Sequence, residues 1–188
     1  MEKKTLMAWV IIVVMVLSVV GFVLVDTGPS ETKKRFGDYT FYRTREGWRS
    51  EIGGQEMFFN YVPDQVAQIA FDDKAKQILT TAVILAVSYD PNDRSAQIMG
   101  ELQYYVEQLL NENGRVFVLR GLTNTSAYPV LPELSCRNAS QNLPVIVFEH
   151  ANSTQVIAKD WCMMVQAATS QDLFLLTDRV LFTVLGVL

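Results

Sequence analysis

A run of twenty-one residues without a charge, Thr5 to Val25, most constrains what this chain can fold into. As an α-helix such a run measures about 31 Å, which matches the ~30 Å hydrocarbon core of a bilayer. It is longer than the apolar core of a secretory signal peptide, and no small-x-small cleavage pattern follows it at 25–29. We therefore expect an uncleaved signal anchor and not a cleaved peptide.

The positive charges near this run do not decide which side of the membrane carries the rest of the chain. Lys3 and Lys4 precede the run and three cations follow it at 33–35, so the positive-inside counts are nearly equal. Two cysteines and three N-x-S/T sequons favour an oxidising, glycosylation-competent exterior. We expect a single-pass protein of the cell membrane with a cytoplasmic N-terminus and an extracytoplasmic domain. The sequons, possible glycosylation sites, begin at Asn124, Asn138 and Asn152.

Charge is distributed unevenly after the run. Residues 33–49 carry six cations against two acids, whereas residues 50–188 carry eight cations against fifteen acids. A nucleic-acid partner does not fit such an acidic domain. We interpret the basic stretch as a solvated juxtamembrane segment, with specific lipid or partner binding as the alternative.

Short aromatic segments bounded by glycine follow the linker that Gly28 and Pro29 mark. They read YTFYRT, WRSEI and EMFFNYV, which is typical of a small antiparallel meander. Pro63 then opens a short amphipathic helix, and residues 72–74 are a solvated break or a capped second turn.

A regular alternation of strands and helices begins at Thr81 and predicts an α/β fold. The apolar run TAVILAVSY is typical of a strand buried on both faces, and Asn113-Gly114 ends the helix that follows. The first two strands should pair in parallel around that helix. The predicted elements are strands at 81–89, 115–119, 145–149 and 155–166, the last returning antiparallel to the third, and helices at 95–111, near 131–137 and at 171–188.

This order of elements, β-α-β-α-β-β-α, resembles the thioredoxin fold over residues 81–188. Asn142-Leu143-Pro144 stands immediately before a strand, where thioredoxin-like proteins place a cis proline. The resemblance implies a cis Leu143–Pro144 bond beside the start of the first helix. Where the family carries C-x-x-C, this chain has Asp90-Pro91-Asn92-Asp93, so it lacks the family's catalytic thiolate.

The predicted organisation therefore has five parts. They are a cytoplasmic N-terminus at 1–4, a transmembrane signal anchor at 5–25, a linker at 26–35, a β-meander with a short helix at 36–80 and a thioredoxin-like domain at 81–188.

One candidate site follows from this arrangement, because ligands of open α/β sheets collect at the carboxyl ends of parallel strands. We predict a groove at that edge of the sheet, with the cis proline adjoining it. Its residues are Ser88, Tyr89, Asp90, Asp93, Arg120 and Pro144. The alternative interpretation is that these are ordinary polar strand ends.

The two cysteines, Cys136 and Cys162, are too far apart in the sequence for a local redox motif. A structural disulfide is the favoured interpretation, with two buried thiols or a redox pair as alternatives. His150, the only histidine, is interpreted as a turn residue, and too few ligand side chains cluster for a metal site. No cofactor-binding motif is present.

The sequence thus predicts a membrane-tethered, redox-inactive thioredoxin-like domain that binds a protein or peptide and has no catalytic residues. The alternative is a thiol-disulfide oxidoreductase or folding factor that uses Cys136 and Cys162.

Overall fold

A six-stranded mixed sheet forms the centre of the structure, a computed structural model that describes residues 12–15 and 32–188. The strands, in chain order, are β1 (Lys33–Phe36), β2 (Tyr39–Arg43), β3 (Trp48–Ile52), β4 (Gln55–Phe59), β5 (Ala70–Phe71), β6 (Ile84–Tyr89), β7 (Phe117–Arg120), β8 (Val145–His150), β9 (Gln155–Lys159) and β10 (Cys162–Ala167). The helices are α1 (Pro63–Val66), α2 (Asp73–Thr81), α3 (Ala96–Asn113) and α4 (Ser170–Leu185).

These strands form two sheets. β1 to β4 make a four-stranded sheet in chain order, in which β3 pairs antiparallel with β2 and with β4. The larger sheet has the order β5-β9-β10-β8-β6-β7. In it β6 pairs in parallel with β7 and β8, and β10 pairs in parallel with β8 and antiparallel with β9. The predicted meander and the predicted parallel β6-α3-β7 unit are therefore confirmed.

One face of the larger sheet is covered by helices, and α4 lies at the centre of that layer. It contacts α1, α2, α3 and β10, and nearly all its apolar side chains are buried. An aromatic cluster joins the small sheet to the same core. The ring centroid of Phe182 on α4 lies 5.7 Å from that of Phe41 and 4.6 Å from that of Phe59. Meander and α/β part therefore share one hydrophobic core.

The other face of the larger sheet is covered by the irregular segment 121–144. Leu134 from this segment packs against Ala86, Val145 and Val147 of the sheet. A disulfide between Cys136 in the segment and the buried Cys162 at the start of β10 holds it in place. The predicted disulfide is thus confirmed, and its place between the segment and the sheet fits a structural bridge.

Reduction of this disulfide should destabilise the domain. The bridge closes a loop across a sequence separation of 26 residues, for which the chain-entropy model gives about 3–4 kcal/mol. We expect the Cys136→Ser, Cys162→Ala variant to unfold at correspondingly lower denaturant concentration than the oxidised protein. Equal urea midpoints with and without the bridge would contradict this.

The helices near the middle of the chain differ from the prediction. The side chain of Asp72 accepts a hydrogen bond from the Lys74 N–H at 2.7 Å and caps α2, which extends to Thr81. The predicted strand at 81–89 consequently starts three residues late, at Ile84. The predicted helix near 131–137 is wrong, since that segment forms turns pinned by the disulfide.

The pairing of the later strands also differs. The segment 155–166 is two strands, because Asp160 adopts a positive φ of 53° and turns the chain tightly at 160–161. β10 is more buried and more apolar than β9, and it takes the position beside β8. The predicted antiparallel return onto 145–149 is therefore wrong.

The two details implied for Pro144 are wrong as well. The peptide bonds of the described residues contain no cis bond. Because β8 runs parallel to β6, with Val145 opposite Ala86, Pro144 stands at the amino end of the sheet, away from the start of α3. The observed order from β6 onward is β-α-β-β-β-β-α, which lacks the second helix of the predicted thioredoxin-like order.

The predicted membrane span falls mostly outside the described residues. Of 5–25, the structure describes residues 12–15, which are helical. Among the described residues no helix is both long enough and apolar enough to cross a bilayer. The predicted linker is shorter than expected at its far end, since β1 begins at Lys33.

A candidate peptide-binding crevice

Ser88 of the predicted groove is a structural residue. It is fully buried, and its hydroxyl donates a hydrogen bond to the Leu134 carbonyl at 2.5 Å. The segment 121–144 therefore covers the predicted groove at Ser88, and no ligand can reach this hydroxyl.

Asp90 and Asp93 serve the turn before α3. The Asp90 carboxylate accepts the Asn92 N–H at 2.9 Å, and Asp93 accepts the Ser95 N–H at 2.7 Å and the His150 N–H at 3.4 Å. These bonds satisfy backbone donors near a helix N-terminus. Both carboxylates are thus engaged in turn and cap formation, and His150 contributes its backbone.

Tyr89 and Arg120 lie at the carboxyl edge of the sheet, as predicted, but their side chains contact α3. Tyr89 packs so closely on α3 that a Cβ on Gly100 would lie 2.8 Å from its hydroxyl. Burial and Tyr128 raise the pKa of Tyr89, and Arg120 opposes them. The Arg120 guanidinium pairs with Glu107 at 2.6 Å. Of the six predicted groove residues, four lie at the carboxyl edge of the sheet near the buried Ser88, namely Tyr89, Asp90, Asp93 and Arg120. Pro144 lies at the opposite end of the sheet.

The three sequons lie outside helices and strands. The side-chain oxygen of Asn124 accepts bonds from Ser126, and that of Asn138 accepts bonds from Ser135. Asn152 is exposed in the turn between β8 and β9. Their use as glycosylation sites stays a prediction.

A second concave surface lies elsewhere, between β4 and α3, with Phe174 of α4 also contributing to its lining. Two cavities of about 180 Å³ and 280 Å³ share Phe58 and Tyr105 as a common wall. We call them the small and the large cavity of the β4–α3 crevice. The small one is lined by Gln55, Glu56, Met57, Phe58, Tyr105, Gln108, Leu109 and Glu112, and the large one by Glu46, Phe58, Phe59, Asn60, Glu101, Leu102, Tyr105 and Phe174.

Local sequence explains how α3 builds one wall of this crevice. Met99, Leu102, Val106 and Leu109 occupy the core face of the helix. The neighbouring face carries Glu101, Tyr105, Gln108 and Glu112 at spacings of four, three and four residues, which brings them onto one stripe. The Tyr105 hydroxyl donates to the Phe58 carbonyl at the edge of β4. The Gln55 side chain donates to the Glu112 carbonyl at 2.6 Å, so both ends of β4 are held against the helix.

Asp178 lies buried behind the wall of the large cavity. Its Oδ2 accepts the Tyr61 N–H at 2.7 Å, whereas its Oδ1 has no hydrogen-bond partner among the described residues. Burial raises the pKa of Asp178 to about 8, and the polar groups of Tyr61 and Asn60 nearby oppose this only in part. Burial first, and then the nearby Asp178, raises the pKa of Tyr105. Burial therefore favours the neutral forms of the Asp178 carboxyl and of the Tyr105 phenol.

The helical periodicity of residues 95–111 predicts a core position for Tyr105, whereas in the structure its partly buried side chain also lines the crevice. The available signal was the stripe of acidic and polar residues beside that face, together with an aromatic pair, Phe58-Phe59, of which only one member can point into the core. Among the described residues no group of three or more histidine, cysteine or acidic side chains could hold a metal ion.

Comparisons with known proteins give this chain no relatives. No protein-family model, curated protein or solved structure matches it.

Proposed function

We propose that this protein is a membrane-tethered, extracytoplasmic and redox-inactive domain, a thioredoxin-like variant without the second helix, that binds a peptide segment of another protein in the β4–α3 crevice. The observation that carries the proposal is the pair of adjoining cavities with the half-exposed Phe58 on their shared wall. Exposed aromatic side chains beside pre-formed pockets are the usual anchors of peptide and protein partners.

The disulfide supports the redox-inactive part of this proposal. Cys162 is buried beneath the 121–144 segment, and the described residues contain no free cysteine. A bridge that holds a loop on a sheet is a structural element, and its presence fits an oxidising compartment.

A second candidate function, thiol-disulfide exchange through the same pair, has one observation in its favour. Cys136 is exposed, and an incoming thiolate could attack its sulfur. An insulin-reduction assay on the full chain separates the two functions. We expect no activity above the Cys136→Ser, Cys162→Ala variant, and turnover by the unmodified protein alone would favour exchange.

The binding proposal is tested with the full chain in lipid nanodiscs and a randomised dodecapeptide library, after counter-selection on empty nanodiscs. Phe58→Ala should weaken binding of the enriched peptides about tenfold or more, as truncation of an interface anchor does. Phe117→Ala is the matched control, because Phe117 is a similarly exposed phenylalanine on β7. Failure to enrich any peptide, or equal affinities for the two variants, would contradict the proposal.

A further inference from the structure

The β4–α3 crevice has a one-sided charge. Its cavities are lined by four glutamates and by no lysine, arginine or histidine. Glu56 is paired with Arg49 at 3.0 Å, but Glu46 and Glu101 at the large cavity have no salt-bridge partner among the described residues. Two carboxylates at one cavity without a counter-ion favour a positively charged ligand group.

The walls of the large cavity fit the same ligand group. Phe58, Phe174 and Tyr105 line it with aromatic side chains, whereas the ring of Phe59 is buried in the core. Aromatic faces attract cations, and they also accept the long aliphatic stem of a lysine or arginine side chain. A volume of about 280 Å³ is sufficient for one such side chain.

Arg43 lies beside the large cavity but does not pair with its carboxylates. It lines an adjoining cavity that shares Asn60 and Phe174 with the large one, and its guanidinium stacks on Trp48 with 5.2 Å to the ring centroid. The carboxylates of the large cavity are thus left for a group from outside.

The length of the crevice indicates an extended segment and not a single residue. Glu101 and Glu112 mark its ends along α3, and eleven residues of helix rise about 16 Å. At about 3.3 Å per residue, an extended peptide of roughly five residues covers this distance.

We propose that the β4–α3 crevice binds an extended basic peptide segment, with one lysine or arginine side chain in the large cavity between Glu46 and Glu101. This inference rests on the proposed peptide-binding function and names the chemistry of its ligand.

The test uses the peptides enriched on the full chain in nanodiscs. Lysine or arginine should dominate one position, and replacing that residue by norleucine or citrulline, respectively, should weaken binding about 10- to 100-fold, the effect of losing a hydrogen bond to a charged group. The protein variant Glu46→Gln, Glu101→Gln should bind the parent peptide more weakly by a similar factor. The matched control, Glu51→Gln with Glu133→Gln, changes two exposed glutamates outside the crevice and should leave the affinity unchanged.

The outcomes separate this inference from the proposed function. Enriched peptides that are neutral or acidic, yet still require Phe58, would overturn the basic ligand and leave peptide binding in place. Equal losses in the crevice variant and the control variant would overturn it too, since general charge attraction would then account for the binding. Enrichment of no peptide would overturn both proposals. Circular dichroism of each variant shows that it is folded.

Discussion

Replacing Asp178 by asparagine should remove a pH dependence of stability that the unmodified domain shows between about pH 4 and pH 8. The pKa of this buried carboxyl rises from 3.8 to about 8 on folding. The stability that the neutral Asp178 carboxyl contributes to the folded state is therefore fully present below about pH 4, and it is lost as the pH rises through about 8. Within that window each pH unit costs up to about 1.4 kcal/mol of unfolding free energy.

The measurement is urea unfolding of the full chain at pH 5 and pH 8. Asparagine keeps an acceptor for the Tyr61 N–H. The free energy of unfolding of the variant should therefore be close to that of the unmodified protein at pH 5 and several kcal/mol higher at pH 8. Asp38→Asn, at an exposed turn, is the control and should keep the original slope. If Asp178→Asn and the unmodified protein lose stability in parallel, the carboxyl is ionised in the folded state and this account is wrong.

Replacing Phe182 by alanine should destabilise the whole domain by about 3–5 kcal/mol, the usual cost of deleting a buried aromatic ring. Phe182 is fully buried and contacts both Phe41 on β2 and Phe59 on β4. Its loss leaves a cavity at the junction of the two sheets. Phe182→Leu should recover a large part of the stability, since most of the volume is restored.

Tryptophan fluorescence and far-ultraviolet circular dichroism together test this prediction. Trp48 lies in the meander and reports on it once Trp9 and Trp161 are replaced by phenylalanine, while circular dichroism is dominated by the helices. One shared transition at lower denaturant is expected, because both parts use one core. Two separate transitions would show that the meander folds independently. Phe117→Ala, at an exposed site, should change the midpoint little.

Local sequence signals were sufficient for much of the fold. Gly114 ends α3 in the left-handed conformation that the Asn-Gly pair predicts, with φ of 68°. The apolar run before Tyr89 forms a buried strand, and Pro63 begins a helix. These features depend on residues within a few positions of one another, which is why one sequence reveals them.

The errors arose where distant residues decide the outcome. Whether β9 or β10 lies beside β8 depends on which strand can be buried on both faces, and that is set by neighbours far along the chain. The burial of Ser88 in the predicted groove has the same cause, since Leu134 covers it from 46 residues away. The crevice joins Phe58 to Tyr105, and no local pattern brings these two together.

The position of α4 at the centre of the helical layer has a consequence during synthesis. Every other described element precedes α4 in the chain, and α1, α2, α3 and β10 all pack against it. While residues 170–185 are still inside the ribosome, those elements expose the apolar surfaces that α4 will cover. The nascent domain therefore cannot fold piece by piece as it emerges, and it depends on protection from aggregation until α4 is released.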